Sequence, residues 1–259
     1  MLLANETVAE HFYWMELPFI YRVHEKPALD KIEELKQFLG NFGIVLRGNA
    51  AGIHPKAVSR ILDEVKGKPN ENVVSYVTLR SMQKAFYSTS CEGHFGLSLK
   101  YYCHFTSPIR RYPDLMIHRI IKESLYGELS GKRVKHLKKR AEKAADMSSE
   151  MERKAIEVER EVEKLKKAEY MSYHIVEIFD GIISGVTNFG IYVQLENTIE
   201  GLVRIEELRD DYYDYEREKY ALVGRRTGRM YKLGDEIAIA VDYVDLYRRE
   251  IDFVIAEPQ

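Results

Sequence analysis

From Val134 to Met171 the chain contains neither proline nor glycine and is dense in strong helix formers. That stretch predicts one long, mostly solvated helix, and it sets what can lie on either side. After His174 the periodicity changes. IVEIFDGIISGVTNFGIYVQLENTIEGLVRIEEL carries short alternating apolar runs separated by turn residues, which is a strand pattern. Beyond a charged insertion, DEIAIAVDYVDLYRREIDFVI supplies two more strands around a turn. Five short strands in about eighty residues fit a small barrel such as the OB-fold. Ahead of the long helix the pattern is mostly helical. Residues 1–16 read as a helix with Leu2, Leu3, Val8, Phe12 and Trp14 on an apolar face, ended by Leu17-Pro18. FIYRVHE and IVLRG are extended. Pro27 to Gly40 is a helix that buries Leu29, Ile32, Leu35 and Phe38. IHPKAVSRILDEVKG is opened by Pro55 and closed by Gly67. ENVVSYVTLRSMQKAFYS reads as a further helix, and LMIHRIIKESLYG as another. The expected fold class is α+β: a mostly helical region over residues 1–172 and an all-β barrel over 173–259.

The 259 residues are 45% hydrophobic and 31% charged, with a net charge of −2. That composition belongs to a globular protein. The balance argues against a purely electrostatic nucleic-acid binder, so any such contact must be a local groove. Cys91 and Cys103 form no C-x-x-C pair and imply no disulfide framework, which points to a reducing, cytoplasmic compartment. No apolar run is long enough to span a bilayer. MLLANETVAEHFYW lacks the layout of a signal peptide. It opens inside a helix with nothing capping it, so further sequence upstream is expected.

The stretch YYCHFTSPIRRYPDLMIHR concentrates the chemistry. Ser107-Pro108 has the form of a helix N-cap followed by proline at the first helical position. Arg110 and Arg111 then fall in the first turn, where cations are unfavourable by about a few tenths of a kcal/mol each. An anion between them and the helix end would satisfy both. Tyr101, Tyr102, Phe105 and Tyr112 would let that anion be a stacked nucleotide's phosphate. The plainer alternative pairs an arginine with Asp114 and places the aromatics in the core. Pro113 leaves two geometries: a helix kinked after one turn, or a helix starting at Pro113 with SPIRRY as a tight loop. His104 and His118 read as hydrogen-bonded structural histidines before they read as phosphate contacts or bases. The basic run Lys132 to Arg140 reads first as a solvated face. In the barrel region, Phe189 and Tyr192 flank Gly190 and Ile191. Strand alternation puts positions 190 and 192 on one face and 189 on the other, unless a glycine bulge re-aims one ring.

These residues carry a resemblance. HFTSPIRRYPDLMIHR resembles the signature of the RNB family of exoribonucleases, to which ribonucleases II and R belong. MLLANETVAEHFYW extends the match, and GHFGLSLKYYCHFTSPIRRYPDL is similar to the ribonuclease R branch. GIISGVTNFGIYVQLENTIEGLVRIEEL resembles an S1 RNA-binding domain. The resemblance implies a 3′-to-5′ hydrolytic exoribonuclease that threads single-stranded RNA and releases nucleoside 5′-monophosphates with Mg²⁺. It implies that Arg110 holds a phosphate near the scissile bond, with Arg111 beside it as a second contact or as support and Tyr112 adjacent. It matches Glu159, in VEREV, to a glutamate close to the terminal nucleotide. It matches Phe189 and Tyr192 to an aromatic pair that stacks on RNA. Arg204 stands where many S1 domains have a histidine, and Asp245 and Arg249 fall near other contact positions. One family feature is missing: a tight aspartate cluster of the DxxxxxDxDD kind that binds magnesium. The only dense aspartate group, Arg209 to Asp214, lies inside the S1-like segment, so no metal ligand is assigned. The expectation is the RNA-binding C-terminal part of such an enzyme, inactive alone, whose Mg²⁺ site lies elsewhere. Its expected partners are single-stranded RNA and a separate chain carrying the other half of the RNB domain. The alternative is a stand-alone RNA-binding protein without chemistry. A helical protein with a structural barrel appendage and no RNA role is the third reading.

Overall fold

A computed structural model describes residues 1–48, 53–68, 71–127 and 129–256, so residues 257–259 of the expected barrel region lie outside it. The chain forms two compact units that interleave along the sequence. The first comprises Met1–Glu33, Leu46–Ile61 and Thr78–Ile156, and the second Glu34–Val45, Leu62–Val77 and Glu157–Gln259.

In the first unit, α1 (Leu2–Trp14) buries Asn5, Ala9 and Phe12 at a four-then-three spacing, one stripe of a 3.6-residue helix. Leu3 and Trp14, expected on the buried face, are exposed because they fall off that stripe, and Leu2, at the first residue of the helix, is exposed as well. Phe12 stacks on Phe19 at 4.9 Å. β1 (Tyr21–Val23) pairs antiparallel with β2 (Phe86–Ser88). The expected helix through ENVVSYVTLRSMQKAFYS is therefore shorter. α4 (Glu71–Arg80) ends at Arg80, and the Phe86–Ser88 segment is drawn into a sheet by a partner far upstream. Earlier, α2 (Leu29–Gly40), which belongs to the second unit from Glu34 on, buries Ile32, Leu35, Phe38 and Leu39 but leaves Leu29 exposed. α3 (Pro55–Val65) is opened by its proline and followed by Gly67 at φ +75°. α5 (Tyr112–Leu125) adds Met116, Ile117 and Ile120 to the core of the first unit.

The long helix is α6 (Gly131–Met171), 41 residues, beginning three residues before Val134. In the first unit its Leu137, Ala141, Ala144 and Ala145 enter the core. The basic run is thus the solvated side of an amphipathic turn, and its Arg133 pairs with Glu123. Ser149 accepts from the Tyr87 N–H and donates to the Ala145 carbonyl, which pins β2 to α6. Cys91 and Cys103 are free thiols.

The second unit is built on a closed barrel. β3 (Ile178–Thr187), β4 (Gly190–Leu195), β5 (Glu200–Arg204), β9 (Glu236–Asp245) and β10 (Glu250–Ile255) run in the order β10-β5-β4-β3-β9. The β5–β10 pair is parallel and the other pairs are antiparallel. The charged insertion forms its own three-stranded antiparallel sheet from β6 (Tyr213–Glu216), β7 (Ala221–Gly224) and β8 (Met230–Lys232). Inward positions of the barrel strands, among them Ile183, Ile191, Val193, Val203, Ile239, Val241 and Phe253, form the core, and Ala168 and Met171 at the end of α6 belong to it. Gly201 is required where it stands, because a Cβ there would lie 2.5 Å from the Phe253 ring.

Candidate nucleic-acid interface

Of the two geometries that Pro113 leaves open, the structure takes the one with SPIRRY as a tight loop, not a helix opened at Ser107-Pro108. Pro113 has no N–H to give to a helical bond, so it is tolerated only in the first turn. The helix accordingly begins at Tyr112 with Arg111 as its N-cap, and Ser107-Pro108 opens a tight turn instead. The Ser107 carbonyl accepts from the Arg110 and Arg111 N–H groups at 3.3 and 3.2 Å. Asp114 closes this loop. It is fully buried, and its Oδ2 accepts from the Ser107 N–H at 2.8 Å, from Arg111 Nη2 at 2.8 Å and from Arg111 Nε at 3.2 Å. Its Oδ1 is buried without a partner among the described residues. The plainer reading therefore describes Arg111, whose partly exposed guanidinium is the ion-pair partner of a buried carboxylate.

Arg110 is different: it is exposed, and its guanidinium has no hydrogen bond or ion pair among the described residues. Tyr112 beside it is half exposed. The floor under the turn is held by Asn5, which sequence reading passed over. Its amide donates to the Tyr102 hydroxyl, its Oδ1 accepts from the Phe105 N–H, and its carbonyl accepts from Cys103 Sγ. A buried asparagine on an otherwise apolar stripe was the available signal. His104 Nδ1 meets the Tyr87 hydroxyl at 2.9 Å. Burial pushes that imidazole down to about 3, helped by the positive charge of Arg111, Arg22, His94 and Arg110. Three arginines thus add to burial in keeping this histidine neutral. His118 Nε2 meets the Phe105 carbonyl at 3.0 Å, and its ring stacks on Phe105 at 4.3 Å.

In the second unit, strand β4 alternates as expected. Ile191, Val193 and Leu195 point inward, and Tyr192 and Gln194 outward. Phe189 sits in the turn between β3 and β4, 49% exposed. Gly190 follows it at φ +152°, where a Cβ would lie 2.2 Å from the Val203 carbonyl oxygen. That close approach sets the turn so that Phe189 and Tyr192 face each other edge to face, 6.2 Å apart. Both rings line one groove of about 860 Å³. Arg204 lies across from Gly190 in the β4–β5 register and grips Asp252 with a two-pronged fork at 3.0–3.2 Å. Asp245 is a turn former: its Oδ1 accepts from the Tyr247 and Arg248 N–H groups at 2.9 Å each. Arg249, at φ +61°, pairs with Glu161 of α6. Glu159 is exposed on the same helix. Sequence reading did not find the second wall of this groove, which comes from Arg160, Glu163, Lys164 and Lys167 of α6. The four-then-three spacing of its cations was the signal.

The aspartates of the 209–214 run are held by their own neighbours. Asp211 accepts from the backbone of Tyr212, Arg226 and Thr227 and from the Thr227 hydroxyl, bonds led by the Thr227 N–H that hold its carboxyl down at about 2. Asp214 is paired with Arg225, and Asp210 with Arg229. Among the described residues, no group of three or more His, Cys, Asp or Glu is placed to hold a metal ion, so these residues do not fit a magnesium site. No described helix is long and apolar enough to cross a membrane.

Residues 1–127 match the RNB domain family, and residues 174–256 match the S1 RNA binding domain family. The chain carries an RNB domain followed by an S1 domain. Ribonuclease R 1 of Lactococcus lactis subsp. lactis is 47% identical over 253 residues, covering 98% of this chain and 31% of that protein. Ribonuclease R of Aquifex aeolicus is 43% identical over 260 residues, covering 99% of this chain and 36% of that protein. The chain thus spans about a third of the length of these curated relatives. The apo form of Mycoplasma genitalium RNase R shares its fold at a TM-score of 0.92 and 33% identity, covering 99% of this chain and 40% of that one. The same protein in complex with ribose methylated single-stranded RNA gives the same TM-score.

Proposed function

We propose that this chain is the RNA-binding C-terminal portion of a ribonuclease R-type enzyme, a 3′-to-5′ hydrolytic exoribonuclease releasing nucleoside 5′-monophosphates from single-stranded RNA. The observation that carries the reading is Arg110. It is an exposed guanidinium without a partner among the described residues, set on a turn held by a buried carboxylate and Asn5. Such a group costs nothing to redirect and is suited to a phosphate. Arg111, tied to Asp114, supports that turn, and Tyr112 offers a ring beside it. Phe189 and Tyr192 supply a stacking platform on the barrel, with Arg204 and Arg249 at its rim and Asp245 shaping the turn that leads to Arg249. Glu159 is assigned to the terminal nucleotide by resemblance alone.

Hydrolysis of a phosphodiester needs an activated water as well as charge stabilisation at phosphorus. Arg110 can supply the second. Magnesium, in the family's chemistry, would supply the first, and its carboxylate ligands come from outside the described residues. The chain is therefore expected to be inactive alone and to work with a second polypeptide carrying those aspartates, in the cytoplasm. Mixing it with the complementary half of an RNB domain should restore shortening of RNA from the 3′ end. Arg110→Ala should then reduce the rate at least a hundredfold, in line with loss of one electrostatic donor. Restored cleavage that is indifferent to Arg110→Ala would remove its assigned role. The second reading, an RNA-binding protein without chemistry, rests on the absence of a metal-competent cluster among the described residues. It predicts that no complementary half restores cleavage.

A further inference from the structure

The barrel arginines expected to meet RNA are already occupied. Arg204 closes its fork on Asp252, and Arg249 closes on Glu161. A guanidinium held this way has few donors left for an incoming phosphate. The cations available along the groove stand on the α6 wall. Arg160 is exposed, and its guanidinium has no ion pair or hydrogen bond among the described residues. Among the described residues the Lys164 ammonium has only a long 3.4 Å contact to Glu161, and its side chain is 63% exposed. The two are one helical turn apart, about 5–6 Å at Cβ, a spacing that suits neighbouring phosphates of an extended strand. Lys167, three residues on, is used at the rim, donating to the Thr198 carbonyl at 2.8 Å. Carboxylates also border the groove. Glu163 shares the helix wall and Glu250 the hairpin, while Glu200 accepts from the Ser184 hydroxyl. Arg248 on the hairpin, 73% exposed, is 3.9 Å from the Asp245 carboxylate. With a chain of net charge −2, affinity for a polyanion has to come from such a local arrangement.

We propose that Arg160 and Lys164 of α6 bind the phosphates of a single-stranded RNA segment whose bases lie on Phe189 and Tyr192. The long helix is then one wall of the binding groove as well as a connector. Bases stack on the barrel side and the backbone runs along the helix side. The inference rests on reading the aromatic pair as an RNA platform, and it adds residues that the S1 region does not contain.

The test is fluorescence anisotropy of a 5′-fluorescein oligouridylate, roughly ten nucleotides long to match one OB-fold. It is titrated with the full chain in EDTA at several potassium chloride concentrations. Each phosphate contact on a single strand contributes about 0.7 to the log–log salt slope. The Arg160→Ala/Lys164→Ala double variant should therefore flatten the slope by about 1.4. Arg160→Gln/Lys164→Gln should do the same while keeping side-chain bulk. Lys166→Ala, paired with Glu169 and outside the groove, should leave the slope unchanged. Phe189→Ala should weaken binding without changing the slope. A double variant with the wild-type slope, or one that loses affinity at unchanged slope, overturns the proposal. If Phe189→Ala weakens binding and the double variant does not flatten the slope, this inference fails alone. If the wild type does not bind at all, the RNA reading of the groove fails with it.

Discussion

At the scale of single residues, the arginine pair shows how adjacent side chains part company. Arg111 is the partner of a buried carboxylate, and Arg110 is left to the surface. Asp114→Ala would strand the Arg111 guanidinium and the Ser107 N–H together. Breaking a buried pair by removing one partner costs about 3–5 kcal/mol. Denaturant unfolding should show a loss of that size, and a loss below about 1 kcal/mol would mean that the pair does not hold the turn. The sequence offered both partners in Arg111-x-x-Asp114 but could not choose between pairing and anion binding, because that depends on burial. The histidines carry a pH signature. Burial, then the charges of His24 and Arg22, pushes His94 down to about 4, and burial with Arg111 pushes His104 down to about 3. In the unfolded chain both titrate near about 6.5. Below that value the unfolded state binds protons that the folded state refuses. Their contribution to stability is therefore complete above about pH 6.5 and is lost as pH falls toward the folded values. Thermal midpoints should drop between about pH 7.5 and pH 5, and His104→Gln should shrink the drop. An undiminished drop in His104→Gln would show that other groups carry it.

At the scale of elements, legibility followed length and locality. α6 was readable because 38 consecutive residues lack proline and glycine, and helix propensity sums over such a window. The barrel strands were readable because their inward faces alternate. β2 was not, since three residues carry almost no period and their partner lies more than sixty positions away. The start of α5 was left open because Ser107-Pro108 and Pro113 offer competing signals, and Asp114 drawing in the Ser107 N–H goes with Ser107-Pro108 as the turn. The β3–β4 turn was half readable. Alternation gave Tyr192, but the display of Phe189 depends on how closely Gly190 approaches β5. Gly190→Ala would push a Cβ against a backbone oxygen 2.2 Å away, and neither strand can yield as a side chain would. A loss of about 1–3 kcal/mol is expected, seen as a lower urea midpoint. An unchanged midpoint would show that the turn is not fixed by this approach.

At the scale of the whole molecule, the two domain types could be read from two motifs in order, RNB then S1. Residues inside those motifs were equally visible. The α6 wall was not, because it is assembled by a helix of no special composition that ends in the barrel core through Ala168 and Met171. The central claim is that this chain grips RNA and does not cut it alone. It is tested most directly by titrating 5′-labelled single-stranded RNA with the purified chain, with and without Mg²⁺, and running each sample on native and denaturing gels. The account predicts a shifted band on the native gel and full-length RNA on the denaturing gel in both conditions. A ladder of products shortened from the 3′ end would contradict it, and would place a working metal site within this chain.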